Sequence, residues 1–165
     1  MTSGVAAEAG ARQRGSFHGG QRSALVQALE RAGRCADAPR VAGWSLAQVL
    51  VHCAQAIEYS MAGFPRPRSR LVQVTLGRAV KVRFLRRGSM NHNRQAPIPG
   101  APPLPEGLAR EEGLARLEHA VRAFEAYQGP LAPHFTYGPA TREEYEALHA
   151  MHIADHLSLF DEARR

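Results

Sequence analysis

Apolar residues recur at helical spacing in four stretches of the chain, separated by segments rich in proline, glycine and polar residues. The first stretch covers about 21–35, with Leu25, Val26, Leu29 and Ala32 on one face. The segment from Ala36 to Gly43, which contains Pro39, ends it. The second covers about 45–62. Ser45 and Gln48 predict a capping box, and Leu46, Val49, Leu50, Cys53, Ala54, Ile57 and Met61 repeat at i, i+3, i+4, i+7. Its polar positions are few, which predicts burial on most sides, and Gly63-Phe64-Pro65 stops it. The third covers about 107–127, with Leu114, Leu117, Val121, Phe124 and Tyr127 as its stripe and Gly129-Pro130 as its end. The fourth covers about 142–161. Thr141 and Glu144 predict a second capping box there, and Tyr145, Leu148, Ile153, Leu159 and Phe160 form its apolar face.

The intervening segments are less periodic. Residues 71–85 read two ways: Val80-Lys81-Val82-Arg83-Phe84 alternates like a strand, while the length suits a helix. Pro97, Pro99, Pro102, Pro103 and Pro105 predict an extended connection. Residues 1–20, rich in Gly, Ala and Ser, predict a disordered leader ahead of one domain over 21–165. Four amphipathic helices with one long crossover, between the second and third, describe an all-α helix bundle.

A chain of 165 residues, 44% hydrophobic and 22% charged, can bury a core without staples. The net charge of +6 is unevenly spread. No carboxylate lies between Glu58 and Glu106, where nine cations fall: Arg66, Arg68, Arg70, Arg78, Lys81, Arg83, Arg86, Arg87 and Arg94. The rest of the chain is net acidic. This basic segment, 66–94, is either a footprint for an anionic partner or a solvated arginine-rich excursion partly paired with acids on neighbouring helices. Few aromatics interleave with it, and no helix-turn-helix pattern is visible, which argues against nucleic acid. Two cysteines exclude a disulfide scaffold, and Cys53 falls within an apolar pattern as core. No apolar run is long enough to span a membrane. No signal peptide is visible either, so a cytoplasmic location is expected.

Candidate chemistry lies in the histidines. At about 100° per residue, His149, His152 and His156 share the sector of Tyr145, Ile153, Leu159 and Phe160, the face turned toward the bundle. His152 and His156 are spaced i, i+4, so neighbouring imidazoles can meet one cation. His149 is two turns from His156, too far to share that ion, and is cast as pocket wall or support. A third ligand has to come from another helix, and His52 sits inside the second one at the edge of its stripe. The competing reading is a pair of core histidines bonded to backbone or to carboxylates such as Asp155 or Glu58. His18, His92, His119 and His134 are assigned to the surface. Three histidines on a divalent ion leave a position open for catalysis. Imidazole suits zinc, nickel, copper and iron alike, and zinc, nickel, manganese or iron is the expected ion.

Residues 44–52 (Trp44-Ser45-Leu46-Ala47-Gln48-Val49-Leu50-Val51-His52), 57–65 (Ile57 to Pro65) and the late His152-x-x-x-His156-Leu157 resemble the DinB/YfiT-like superfamily. Thr75-Leu76-Gly77-Arg78 and Phe84-Leu85-Arg86-Arg87-Gly88 are similar to the middle segment of one of its subfamilies of unknown function. The resemblance implies a four-helix up-down-down-up bundle, a metal on His52, His152 and His156, and a homodimer. It implies a hydrolase or thiol S-transferase acting on a small molecule or with a low-molecular-weight thiol. Tyr145 or His149 would then orient the incoming group, and Arg86 and Arg87 would hold an anionic cosubstrate at the mouth. Relatives follow the last ligand with a polar run, whereas Leu157-Ser158-Leu159-Phe160 stands here, so the pocket floor is expected to differ. The alternative is a non-catalytic dimerising bundle, a binding or stress protein with a vestigial or structural histidine site.

Overall fold

Five helices make up the regular structure of the residues described by the computed structural model, 23–36 and 43–162. The expected leader, the Pro39 breaker and His18 lie outside the described residues. Helix α1 is Ala24–Arg34, with Ser23 Oγ accepting from the Val26 amide at 3.2 Å. Helix α2 is Leu46–Ala62. Its capping box forms as expected: Gln48 N donates to Ser45 Oγ at 3.2 Å, and Ser45 N donates to Gln48 Oε1 at 3.0 Å. Gly63, at φ 103°, takes the chain out of α2 in a conformation that side chains disfavour. Helix α4 is Arg110–Ala126 and α5 is Arg142–Glu162, the latter capped by reciprocal Thr141–Glu144 bonds of 3.2 and 3.0 Å.

The ambiguous stretch is helical. Helix α3 occupies residues 70–87, from Arg70–Val72 through a π-helical stretch at Gln73–Gly77 into Arg78–Arg87. Lys81 explains its position. The residue is buried, and its Nζ donates to Glu144 Oε2 at 2.6 Å and to the Pro139 carbonyl at 2.7 Å, tying α3 to the start of α5. On the other side of α3, Leu71, Val74 and Leu76 are exposed.

Helix α2 packs along α4 and α1 along α5, with α2–α5 and α1–α4 contacts joining the pairs. Gly113 lets α4 approach α2: a Cβ there would stand 2.7 Å from the Ala47 carbonyl oxygen. The shared core includes Leu25, Leu46, Leu50, Ile57, Leu117, Tyr145, Leu157 and Phe160. Burying a leucine or phenylalanine of this kind contributes about 1.5–3 kcal/mol. Leu157 and Phe160 follow the last histidine into that core, which explains the apolar run there. Cys53 is buried core as expected, its thiol pushed up by burial, and neither it nor Cys35 is in a disulfide.

The connections are pinned rather than loose. Ile98, from the proline-rich segment, is buried against Ala56 and Phe64. The 134–138 turn closes by paired His134–Gly138 backbone bonds of 2.9 and 3.0 Å and docks onto α3. The Arg68 amide donates to the Phe135 carbonyl at 2.8 Å. Gly77 is required there because a Cβ would overlap the Thr136 carbonyl.

Candidate metal centre and adjoining cavity

Helix α2 carries His52 in its first half, under two turns from Leu46, and α5 carries His152 and His156 one turn apart. The packing of α2 on α5 brings the three rings together. Ring centroids lie 5.0 Å apart for His52–His152, 4.9 Å for His52–His156 and 4.7 Å for His152–His156. One ligand nitrogen from each falls within 4.8 Å of the others. The Nε2 atoms of His152 and His156 stand 3.0 Å apart. Trp44 covers the group, its ring 5.1 Å from His52 and stacked on His156 at 6.2 Å with an interplanar angle of 17°.

Unmet hydrogen-bonding capacity separates this group from an ordinary polar core. His52 Nδ1 and His156 Nδ1 are buried with no hydrogen-bond partner. Neither suggested carboxylate serves them: Glu58 takes Arg116 at 3.1 and 2.8 Å, and Asp155 Oδ2 lies 2.8 Å from His92 Nδ1. Burial pushes the His52 imidazole down to about 4, helped by His92. It pushes His156 to about 2, helped by His52, His92 and Arg94. His152 is lowered well below the ordinary value by burial and then by the surrounding histidines. Three neutral, converging imidazoles are what a divalent ion needs, because the ligand must give up its proton. Ligand nitrogens around tetrahedral zinc stand about 3.3 Å apart, so the 3.0 Å pair would open slightly and the separations from His52, within 4.8 Å, would close to hold an ion.

Two histidines assigned to the surface are in fact part of this region. His92 sits between the proline-rich connection and α5, with its ring 5.0 Å from both His152 and His156. Asp155 Oδ2 approaches its Nδ1 to 2.8 Å without the alignment of a hydrogen bond, and its Nε2 is buried without a partner. Burial lowers its pKa while Asp155 opposes the shift. His134 is packed between Phe64, Phe135 and Tyr137 at centroid distances of 5.0, 4.5 and 4.2 Å. Both were missed because they lie in non-helical segments that carry no periodic signal. His119 is exposed, as expected.

A cavity of about 250 Å³ adjoins the triad. His52, His92 and His152 line it, together with His134, His149, Tyr145, Ile98, Phe135 and Tyr137. His149 is therefore pocket wall, as its two-turn offset predicts, and Tyr145 is a wall residue whose hydroxyl donates to the Ala132 carbonyl at 2.7 Å. Arg68, exposed at the surface, is the arginine that lines this cavity. Arg86 and Arg87 do not line it. They sit in the exposed last turn of α3, around a separate depression with Ala79, Val82 and Arg83. The cause is the helical form of α3, whose buried Lys81 faces α5 and turns these arginines outward.

The family described as protein of unknown function (DUF1569) matches residues 17–163, nearly the whole chain and every residue of the triad. The chain belongs to this family. No curated protein and no solved structure matches it. The DUF1569 match spans α2 and α5, the two helices that carry the histidine group. No helix among its described residues is long and apolar enough to cross a membrane.

Proposed function

We propose that this protein is a divalent-metal-dependent enzyme of the DinB/YfiT-like kind, with His52, His152 and His156 as the metal ligands and the adjoining cavity as the substrate chamber. The observation that carries this reading is the convergence of three imidazoles, two buried and one half-buried, with His52 Nδ1 and His156 Nδ1 left without a partner. A divalent ion there would supply Lewis acidity, lowering the pKa of a water or small thiol at its open position. The chain's own residues do the rest. Trp44 and the core leucines exclude solvent from one side of the ligands. His92, with Asp155 behind its Nδ1, places a neutral imidazole beside the triad, the arrangement used by a general base. Hydrolysis or thiol S-transfer is the reaction class, and zinc, nickel, manganese or iron the candidate ion.

The four long helices α1, α2, α4 and α5 would form the up-down-down-up bundle, with α3 in the crossover. A homodimer belongs to the same proposal. Leu71, Val74 and Leu76, 72%, 53% and 67% exposed, are the apolar surface that a second copy would cover.

The test is metal analysis of purified protein. About one ion per chain is expected in the wild type, and near none in His52→Ala at unchanged helix content. Wild-type protein that stays metal-free after incubation with each candidate ion would leave a non-catalytic bundle as the better reading.

A further inference from the structure

Three histidines outside the triad line the cavity: His92, whose ring stands against the triad, and the pair His134 and His149. Their ring neighbours are Phe64, Phe135 and Tyr137 for His134, and Phe124 and Tyr145 for His149. Their hydrogen bonds fix where each ring proton sits.

The Nδ1 of His134 accepts from two backbone amides, Thr136 N at 3.1 Å and Tyr137 N at 3.2 Å. A nitrogen that accepts carries no proton, so the proton of the neutral ring is on Nε2. That N–H has no partner among the described residues. In His149 the logic runs through Ser60. The Ser60 hydroxyl has a single hydrogen, and it is given to the Ile57 carbonyl at 2.6 Å. The 3.2 Å contact between Ser60 Oγ and His149 Nε2 must therefore be donated by the imidazole. His149 is also the Nε2–H form, but here that proton points at Ser60, and the free lone pair is on Nδ1. Burial holds both rings at about 3, so both are neutral at ordinary pH. They are close enough that His149 adds to the lowering of His134.

We propose that His134 and His149 form a fixed donor–acceptor pair that binds a small, largely apolar molecule through a hydroxyl or carboxamide group. Such a group accepts from His134 Nε2–H and donates to His149 Nδ1. A carboxylate offers acceptors only and would meet the His149 lone pair. An ammonium offers donors only and would meet the His134 N–H. Ala56, Ile98, Phe135 and Leu148 supply apolar wall, and Arg68 and Asn93 also line the cavity. At about 30 Å³ per water, the cavity of about 250 Å³ has room for a single-ring molecule. Ser60 does not line the cavity and is a positioning residue, holding the His149 tautomer from behind.

The inference names the substrate class for the proposed enzyme, yet it concerns residues that touch no metal ligand ring, so it is tested on metal-free protein. Benzamide, benzyl alcohol, benzoate and benzylamine share one ring and differ in the head group. They are titrated into protein labelled with ¹⁵N at histidine while ring nitrogen shifts are followed. Both His134 and His149 are expected as Nε2–H tautomers. Benzamide and benzyl alcohol are expected to shift both rings and to bind at least about tenfold more tightly than the two charged probes, since a charged probe leaves one buried group unpaired. Ser60→Ala is expected to free the His149 tautomer and to shrink the preference for benzamide over benzoate to below about threefold, with the His134 signals unchanged. An Nδ1–H tautomer at either ring, equal or tighter binding of benzoate, or no binding of any probe overturns the inference. If Ser60→Ala does not fold, the wild-type tautomers and selectivity still decide it. Repeating the titration with zinc, while measuring zinc content, separates the two proposals: failure to take up zinc counts against the enzyme, and loss of selectivity in metal-free protein counts against the pair.

Discussion

The two groups of histidines around the cavity each combine buried rings with a half-buried one but differ in what their nitrogens face. In the triad, nitrogens face one another: His152 and His156 meet at 3.0 Å, and buried Nδ1 atoms of His52 and His156 have no partner. At His134 and His149, one nitrogen of each ring is bonded to backbone amides or to Ser60. An unpaired buried polar group costs on the order of 1–3 kcal/mol, a cost that the buried Nδ1 atoms of His52 and His156 carry and that the bonded nitrogens of His134 and His149 avoid. Rings with unmet capacity gathered at one point describe a place for a cation. Rings with one nitrogen satisfied describe fixed hydrogen-bonding groups.

The sharpest way to break this contrast is to remove one ring from each group. At zinc about a hundredfold above its dissociation constant, wild-type protein should gain about 2.7 kcal/mol of stability, seen as a rise of several degrees in Tm. His52→Ala should lose that gain almost entirely, whereas His134→Phe should keep it. Equal responses in calorimetry would erase the distinction.

The next effect is on pH. His52, His134 and His149 have folded pKa values of about 4, 3 and 3, against an ordinary value of 6.5. Below 6.5 the unfolded chain binds protons that the folded chain refuses. Stability of metal-free protein is therefore full above that value and falls as pH drops toward 4, by up to about 1.4 kcal/mol per pH unit for each histidine. Urea midpoints between pH 7 and 4 should fall steeply, and His149→Phe should flatten the slope by one histidine's share.

Gly77→Ala forces a Cβ into the Thr136 carbonyl, on the turn that carries His134. Overpacking of this kind costs about 1–3 kcal/mol. Thermal unfolding should show the loss while zinc stoichiometry stays at the wild-type level, since the turn holds no triad residue. Smallest of all, Arg86→Ala with Arg87→Ala should change stability by less than about 0.5 kcal/mol and leave zinc and benzamide binding alike untouched, because neither side chain lines the cavity.

Much of the triad was legible in the sequence because periodic elements carry it. The i, i+4 pair sits on a capped helix with an apolar face, and His52 sits in a helix with too few polar positions to be solvated on any side. His92 and His134 were not legible, because their burial depends on where the proline-rich connection and the 134–138 turn dock. One signal did point to His92. Asp155 lies between two inward histidines and needs a cationic or donor partner, but nothing local says which distant residue supplies it. Residues 71–85 stayed ambiguous for a related reason: the bond that decides them, from Lys81 to Glu144, spans 63 positions.

That bond has a practical corollary. Lys81 is the sole lysine of the chain, and its amine is enclosed between a carboxylate and a carbonyl. Reagents and transferases that acylate side-chain amines find no target on the folded surface. Their access to Lys81 would report the peeling of α3 from α5, which makes the rate of its acylation a direct clock for local opening of this crossover.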